Sequence, residues 1–589
     1  MNRREFLDIL WKGSVVAGLS GCDRLDSNSN AVKDYYNLPA SGDARILHIT
    51  DTHAQLQPVY FREPNVNIGV GQARGRFPHL VGKNLLAELT AAKSLTLSER
   101  DIHAFTYLDF SESAAVYGKV GGFAHLKTLI DRLRGESPGG ALLLDGGDTW
   151  QGSGTALWTR GKDMVGACNR LGVDVMTGHW EFTYQAEEVL ENARAFHGEF
   201  VAQNVKATED ALFEGTEVYD EDSGHVFKPY VIKTLNQRRI AIIGQAFPYT
   251  PIANPRRFIP DWTFGIRAQE LSELSARIRE QEKPDAVVLL SHNGMDVDLK
   301  LACEVVGIDF ILGGHTHDGV PLPVTVENPG GKTVVTNAGS NGKYVGVLDI
   351  QFGASGISGF QYRLLPVFAN LLSADPAMQT YIDEVRTPWL ATLNEPLAVT
   401  ESLLYRRGNF SGTFDQLICD ALRDVLDAQI SLSPGFRWGT SVLPGETITM
   451  ERVLDQTCMS YPETYVREMS GEDIRFVLES VCDNLFNADP YYQQGGDMVR
   501  VGGLRFSCAP NAAMGKRIDD LELLDGTPLD ASKRYKVAGW ATVASQAPGA
   551  PVWEVVADYL RAAKTVNITR GNNPVLKGVE GNPGLADYN

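Results

Sequence analysis

The chain has 589 residues, 43% of them hydrophobic and 22% charged, with a formal net charge of −19. That length is too great for one hydrophobic core and favours two or more domains. The acidic balance excludes a nonspecific nucleic-acid binder, so an anionic ligand needs a local positive site, and bound metal ions are the obvious source of one.

The first 22 residues, "MNRREFLDILWKGSVVAGLSGC", carry paired Arg3 and Arg4, then Phe6 and Leu7, then a modestly apolar stretch ending in Cys22. This resembles a twin-arginine export signal, used by proteins that fold and take up cofactors before crossing into the periplasm. The apolar part is broken by Lys12 and is far shorter than the ~20 residues a spanning helix needs, so it is set apart from the fold. "LSGC" is also similar to a lipoprotein cleavage box, which makes Cys22 a candidate lipid anchor followed by a polar tether; the alternative is that Cys22 lies in a discarded leader. Residues 1–40 are therefore signal and linker. The remaining six cysteines, Cys168, Cys303, Cys419, Cys458, Cys482 and Cys508, show no CxxC or zinc-like spacing and read mostly as buried thiols.

Residues 41–365 are expected to form the first domain, and from residue 45 to about 350 one pattern recurs in it: a short β-branched or leucine-rich run followed at once by a cluster of Gly, His, Asp or Asn. The runs are "RILHIT", "ALLLD", "VDVM", "RIAIIG", "DAVVLL", "DFIL" and "KTVVT". Such runs predict buried strands, and intervening segments such as "GGFAHLKTLIDRLRG" predict helices, which together give an α/β architecture. In sheets of this kind ligands gather beyond the carboxyl ends of the strands, so the polar clusters are expected to converge on one rim.

Residues 366–395 look helical and are expected to link two units. From 396 to 589 histidine disappears, the last of the 11 being His317. There "TFDQLICDALRDVL" places Leu417, Ile418, Ala421, Leu422 and Val425 on one helical face. "SGEDIRFVLESVCDNLF" predicts a second helix with Ser470 as N-cap and Asp473 three residues on. A separate α+β domain without metal chemistry is the economical reading.

The chemistry-bearing residues sit at strand ends: Asp51 and His53 in "DTH", Asp148 in "GGD", His179 in "GHWE", His292 in "SHNG", and His315 with His317 in "GGHTH". Residues 51 and 53, or 315 and 317, point the same way if the chain stays extended. Two-metal hydrolases need a bridging carboxylate with His, Asp or Asn ligands holding ions about 3.5 to 4 Å apart. A lone histidine after a strand is usually a solvated loop or a satisfied core residue. Five of them in glycine-rich clusters, in this order, are explained better by metal.

That order resembles the calcineurin-like metallophosphoesterases of the 5′-nucleotidase family. The resemblance implies a four-layer β-sandwich flanked by helices, followed by a C-terminal α+β domain of the nucleotidase type. It also implies that one metal takes Asp51, His53, Asp148 and His317, and the other Asp148, His179, His292 and His315, with Asp148 bridging.

Departures from the nucleotidase pattern point to a narrower family. Nucleotidases use the Asn of a Gly-Asn-His-Glu motif as ligand and the next His, paired with an Asp, to help the leaving oxygen depart. Here those positions hold His179, Trp180 and Thr183. An imidazole at 179 still ligates, but the His and Asp dyad is missing. Together with "THAQLQPVYFREPNVNIG", "GQAFPYTPIANP", "SPGFRWGTSVLPGE" and "PYYQQGGDMVRVGG", this closely resembles the SoxB thiosulfohydrolase family of bacterial sulfur oxidation. The resemblance implies manganese as the two ions and, as substrate, a thiosulfonate on a cysteine of the SoxYZ carrier. A hydroxide held by the metals is then expected to attack the sulfonate sulfur, with no side-chain general acid. An alkoxide gains about 10² to 10⁴ in rate from such an acid, whereas a persulfide departs without one. Arg437 is expected to clamp the sulfonate oxygens, since its planar fork suits a tetrahedral oxyanion. Trp180 is expected to wall the site, and Tyr491 and Tyr492 to frame a channel for the carrier arm. The competing readings are a periplasmic phosphoesterase acting on nucleotides and a non-catalytic metal-binding lipoprotein.

Overall fold

All seven apolar runs form strands in the computed structural model, which describes residues 35–92, 95–354, 356–544 and 546–588. Arg3, Arg4 and Cys22, and with them the export signal and lipidation site, lie outside the described residues. Two six-stranded sheets result. In the first, Ala44–Ile49 pairs in parallel with Leu142–Asp145, which pairs in parallel with Val175–Met176. In the second, Arg238–Gln245, Ala286–Ser291, Phe310–Gly313 and Gly331–Asn337 run parallel side by side.

The two-residue period of each strand sends alternate side chains to opposite layers. Ile46, Leu144 and Val175 of the first sheet meet Ile242, Val288 and Leu312 of the second in one apolar layer. On the outer face of the first sheet, Leu47, Ile49 and Leu143 pack on Leu126, Leu129 and Leu133 of the helix Phe123–Gly135. On the outer face of the second, Ile243, Val287 and Leu289 pack on Leu271, Leu274 and Ile278 of the helix Ala268–Gln281. Helix, sheet, sheet and helix are thus stacked in four layers, and both faces of every central strand are covered, which is why these runs read as continuous rather than alternating apolar sequence. Leu129 is fully buried, and its truncation to Ala costs about 2–5 kcal/mol by the usual cavity penalty.

Later in the chain, Thr464–Ser470, Arg534–Trp540, Ile430–Ser433 and Arg500–Gly502 form a four-stranded mixed sheet. The helix Thr413–Val425 buries Leu417, Ile418, Ala421 and Leu422 as expected. Val425 is 41% exposed, because the helix ends there as it leaves the core. The helix Gly471–Leu485 opens with the expected capping box, Ser470 Oγ accepting from Asp473 N at 3.1 Å and Asp473 Oδ2 accepting from Ser470 N at 3.0 Å. The segment 366–395 is helical only in its later part. Pro366 closes the strand Gly356–Pro366, and the helix Pro376–Arg386 starts where Asp375 caps it and Pro376 takes the first helical position.

The C-terminal end returns to the first half, where Asn67 N donates to Gly584 O at 2.7 Å. Five of the six cysteines that follow Cys22 are buried free thiols and Cys303 is exposed. Among the described residues no helix is long and apolar enough to cross a membrane.

Candidate metal centre

Each chemistry-bearing side chain lies just past the carboxyl end of a parallel strand. Asp51 and His53 follow Ala44–Ile49, Asp148 follows Leu142–Asp145, and His179 follows Val175–Met176. From the second sheet, His292 follows Ala286–Ser291, and His315 and His317 follow Phe310–Gly313. The seven meet in two overlapping buried groups, Asp51, His53, Asp148 and His317 in one and Asp148, His179, His292 and His315 in the other. Within each group the candidate donor atoms lie within 4.8 Å of one another.

The chain does not stay extended here, contrary to the alternation read from "DTH" and "GGHTH". Asp51, His53, Asp148, His315 and His317 all have left-handed backbone, with φ of 51°, 45°, 57°, 72° and 58°. Such conformations cost of order 1–3 kcal/mol each outside glycine, and they aim these side chains inward at tight turns that an extended strand could not make. The glycine clusters serve the same close approach. A Cβ on Gly314 would come 2.3 Å from Thr50 Oγ1 and 2.9 Å from Asp51 Oδ2.

Around Asp148 the spacing is that of a shared ligand. Its Oδ2 lies 3.3 Å from His179 Nδ1 and 3.1 Å from His292 Nε2, while its Oδ1 accepts from Trp180 N at 2.7 Å. Asp51 Oδ1 lies 3.2 Å from His317 Nε2, and its two oxygens both accept from His315 N at 3.0 Å. His53 Nδ1 and His292 Nδ1 face the carbonyls of Gln151 and Gly146 at 3.2 and 2.6 Å, which fixes their ring orientation. His179 Nε2 and Nδ1 of His315 and His317 are buried without a hydrogen-bond partner, and His179 Nδ1 and His292 Nε2 have only the Asp148 carboxylate beside them, outside good hydrogen-bond geometry. Buried polar atoms are seldom left so. Imidazole and carboxylate donors of this kind fit divalent manganese, zinc or iron alike.

Burial raises Asp51 above its ordinary value, but the other ligand candidates fit a cation site. Burial pushes His53 down to about 4 and lowers His179, His315 and His317 too, keeping these imidazoles neutral as ligation requires. Burial alone would lower His292, but the Asp148 and Asp51 carboxylates outweigh it and lift it to about 10. Burial likewise works against ionised Asp148, yet His292 and His179 hold it well below the usual carboxylate range. A pocket that draws a proton onto His292 is one whose field favours a cation.

Two residues that sequence reasoning missed hold the loops. Glu181, fully buried, accepts four backbone amides: Thr149 N and Trp150 N on Oε1 at 2.7 and 3.1 Å, Asp148 N and His179 N on Oε2 at 3.2 and 2.8 Å. It was visible only as the last letter of "GHWE". Arg407 reaches from the second half to donate to Thr316 O at 2.8 Å, between two candidate ligands, and to Asp318 at 3.2 Å. No motif signalled it.

Above the centre opens a cavity of about 380 Å³. Asp148, His179, His315 and His317 line its floor, Trp180, Phe247, Phe436, Trp438 and Tyr461 its walls, and Ile252 and Val543 its rim. Phe247 stacks on His315 at 4.0 Å between ring centroids. Trp180 is buried edge-on against Phe436 and Trp438, at 5.6 and 5.2 Å. Thr183 hydrogen-bonds Ser460. Arg437 lines the cavity with Nη1 3.3 Å from His315 Nε2. Tyr491 and Tyr492 are placed elsewhere: Tyr491 lies over Lys300 with its hydroxyl on Glu304, Tyr492 is 62% exposed, and neither lines this cavity. Pro490–Tyr492 forms a short turn that packs Tyr491, partly buried, against the outer core of the second sheet and turns Tyr492 to the outside.

The 5′-nucleotidase C-terminal domain family matches residues 393–555. The solved structure of the sulfate thiohydrolase SoxB of Thermus thermophilus, in complex with glycerol, is 35% identical with a TM-score of 0.84, over 94% of this chain and 98% of that one. Bovine 5′-nucleotidase is 23% identical over 491 residues, 75% of this chain and 81% of that protein. The trifunctional nucleotide phosphoesterase YfkN of Bacillus subtilis is 24% identical over 457 residues, 70% of this chain, but the match spans only 30% of YfkN.

Proposed function

The chain belongs to the SoxB family of the 5′-nucleotidase superfamily, and from that premise we propose that it hydrolyses a thiosulfonate carried on a cysteine, releasing sulfate and leaving a persulfide on a SoxYZ-type carrier protein. Water adds to the sulfonate sulfur, the S–S bond breaks, and the bonding pair leaves with the carrier sulfur. On the same family footing we take the ions as manganese and the compartment as the periplasm.

Asp51, His53, Asp148 and His317 would hold one divalent ion, and Asp148, His179, His292 and His315 the other. Bound there, two such ions supply Lewis acidity that activates water and offsets the charge of the transferring group. The protein's own contribution is placement. Arg437 offers an N–H donor to a sulfonate oxygen beside the floor of the cavity. Trp180, Phe436 and Trp438 exclude water from the path of the departing sulfur.

The observation that carries the reading is what stands where a leaving-group acid would be. Trp180 is spent in an aromatic wall and Thr183 on Ser460. Apart from the candidate ligands, no histidine among the described residues lines the cavity. Its Tyr461 hydroxyl is committed to Ala253 O, and Asp497 is held ionised among arginines. Such a site suits a leaving group that departs unprotonated, as a persulfide does and a sugar alkoxide does not.

The test is one metal-loaded preparation assayed with thiosulfonate-loaded carrier and, separately, with nucleoside monophosphates, counting sulfate and phosphate. Sulfate release far above phosphate release is expected. Comparable or faster phosphate release overturns the proposal in favour of a phosphoesterase, and neither product from a fully loaded centre favours a metal-binding protein without catalysis.

A further inference from the structure

We propose that Asp497 is the positioning residue for the anion-binding arginine of this site, fixing Arg437 as the last member of a buried chain of alternating charges. The inference rests on the reading of Arg437 as the clamp for the sulfonate.

The chain begins with Arg406, whose Nε lies 2.7 Å from Asp415 Oδ1. Asp415 Oδ2 lies 3.4 Å from Arg500 Nε, and Arg500 Nη2 lies 3.4 Å from Asp497 Oδ2. Asp497 Oδ1 lies 3.5 Å from Arg437 Nε. The first four side chains are at most 1% exposed, whereas Arg437 is 12% exposed and borders the cavity. Three cations alternate with two anions, and the most exposed of the cations stands at the chain's open end beside the cavity, where an oxyanion would arrive.

Most of these separations are ion-pair distances, not short hydrogen bonds. They hold the guanidinium by field, and the backbone supplies the geometry. Asp497 N donates to Gly435 O at 2.8 Å, two residues before Arg437. A Cβ on Gly435 would come 2.3 Å from Asp497 O, so the segments carrying the two side chains touch directly. Arg437 Nη2 donates to Gly496 O at 2.9 Å. With Nε facing Asp497, Nη1 against His315 Nε2 and O at 3.3 and 3.5 Å, and one Nη2 hydrogen on Gly496, the second Nη2 hydrogen remains for a sulfonate oxygen. Arginine is long and loses much rotamer freedom when fixed. Asp497 removes that cost before substrate binds, and being held ionised by Arg437, Arg500 and Arg407 against the pull of burial, it does so across the working pH range.

The test compares Asp497→Asn, Arg437→Ala and the double variant in full-length, metal-loaded protein. KM and kcat on thiosulfonate-loaded carrier, binding of inorganic sulfate by calorimetry, and metal content are measured. Asp497→Asn should raise KM and weaken sulfate binding by about tenfold or more, the usual scale for a charge-assisted contact. Two metals per chain should be retained and kcat should move far less than KM. In the Arg437→Ala background the same change should add little, because the pair acts as one unit. Unchanged sulfate affinity in Asp497→Asn, or full additivity with Arg437→Ala, overturns the proposal. Should Asp497→Asn fail to fold, Asp497→Glu keeps the charge against Arg500 and displaces the guanidinium. It should fold and raise KM severalfold, and a wild-type KM would count against the proposal. Sulfate calorimetry needs no turnover, so a wild type inactive on thiosulfonate defeats the functional reading without deciding the role of Asp497.

Discussion

Replacing Glu181 by Gln isolates the part of the centre that holds its two first-sheet loops together. Each carboxylate oxygen accepts two buried amides, Thr149 N and Trp150 N on one, Asp148 N and His179 N on the other. Glutamine keeps one oxygen and turns an NH₂ toward the other pair, so two buried donors lose their acceptor whichever way the amide sits. At about 1–3 kcal/mol per unsatisfied buried donor the loss is about 2–6 kcal/mol. The amides affected belong to the loops carrying Asp148 and His179, so the loss falls on metal retention more than on the distant core. Each 1.4 kcal/mol is tenfold, which places the weakening of metal binding at ~30-fold or above. Chelator competition followed by elemental analysis measures it, with hydrogen exchange at residues 148–150 and 179 as a local readout. A Glu181→Gln protein that keeps both metals at wild-type chelator concentrations and shows wild-type protection would refute this account of the loops.

Three further outcomes follow from the same geometry. His179→Ala should lose about one metal per chain by elemental analysis and nearly all sulfate release, since the other group of candidate ligands stays complete. Arg407→Ala, by freeing the Thr316 carbonyl between His315 and His317, should lower metal occupancy without unfolding the second half, seen as reduced metal content with an unchanged circular dichroism spectrum. On acidification, His48 and His103 resist protonation in the fold. Burial takes both down to about 3, helped at His103 by Lys343 and Arg100. The unfolded chain binds those protons near pH 6.5, so the associated stability is present above 6.5 and is lost as pH falls toward about 3. Melting temperature should decline over that window, and His103→Phe, in a pocket already stacked with Phe110 and Phe368, should flatten part of the slope.

Much of the site was legible because its residues are tied to strand ends. "DTH", "GGD", "GHWE", "SHNG" and "GGHTH" each follow a run apolar enough to name the strand, and parallel strands bring their carboxyl ends to one rim. What the letters did not carry was backbone direction: alternation assumed extended chain, whereas Asp51, His53, His315 and His317 turn left-handed. Partners recruited from far along the sequence were equally hidden. Arg407 meets a loop 91 residues away with no periodicity to announce it. Tyr491 and Tyr492, expected to frame a channel for the carrier arm, are placed outside the cavity by a short turn. Arg437, chosen for its chemistry, is brought beside His315 because Asp497 and Gly496 hold it there.

The central claim, that two cations share Asp148, is tested most directly by anomalous diffraction from crystals of the manganese-loaded protein. Two peaks about 3.5 to 4 Å apart are expected, one within bonding distance of Asp51, His53 and His317, the other of His179, His292 and His315, and both touching the Asp148 carboxylate. A single peak, or two peaks with His179 bound to neither, would contradict it.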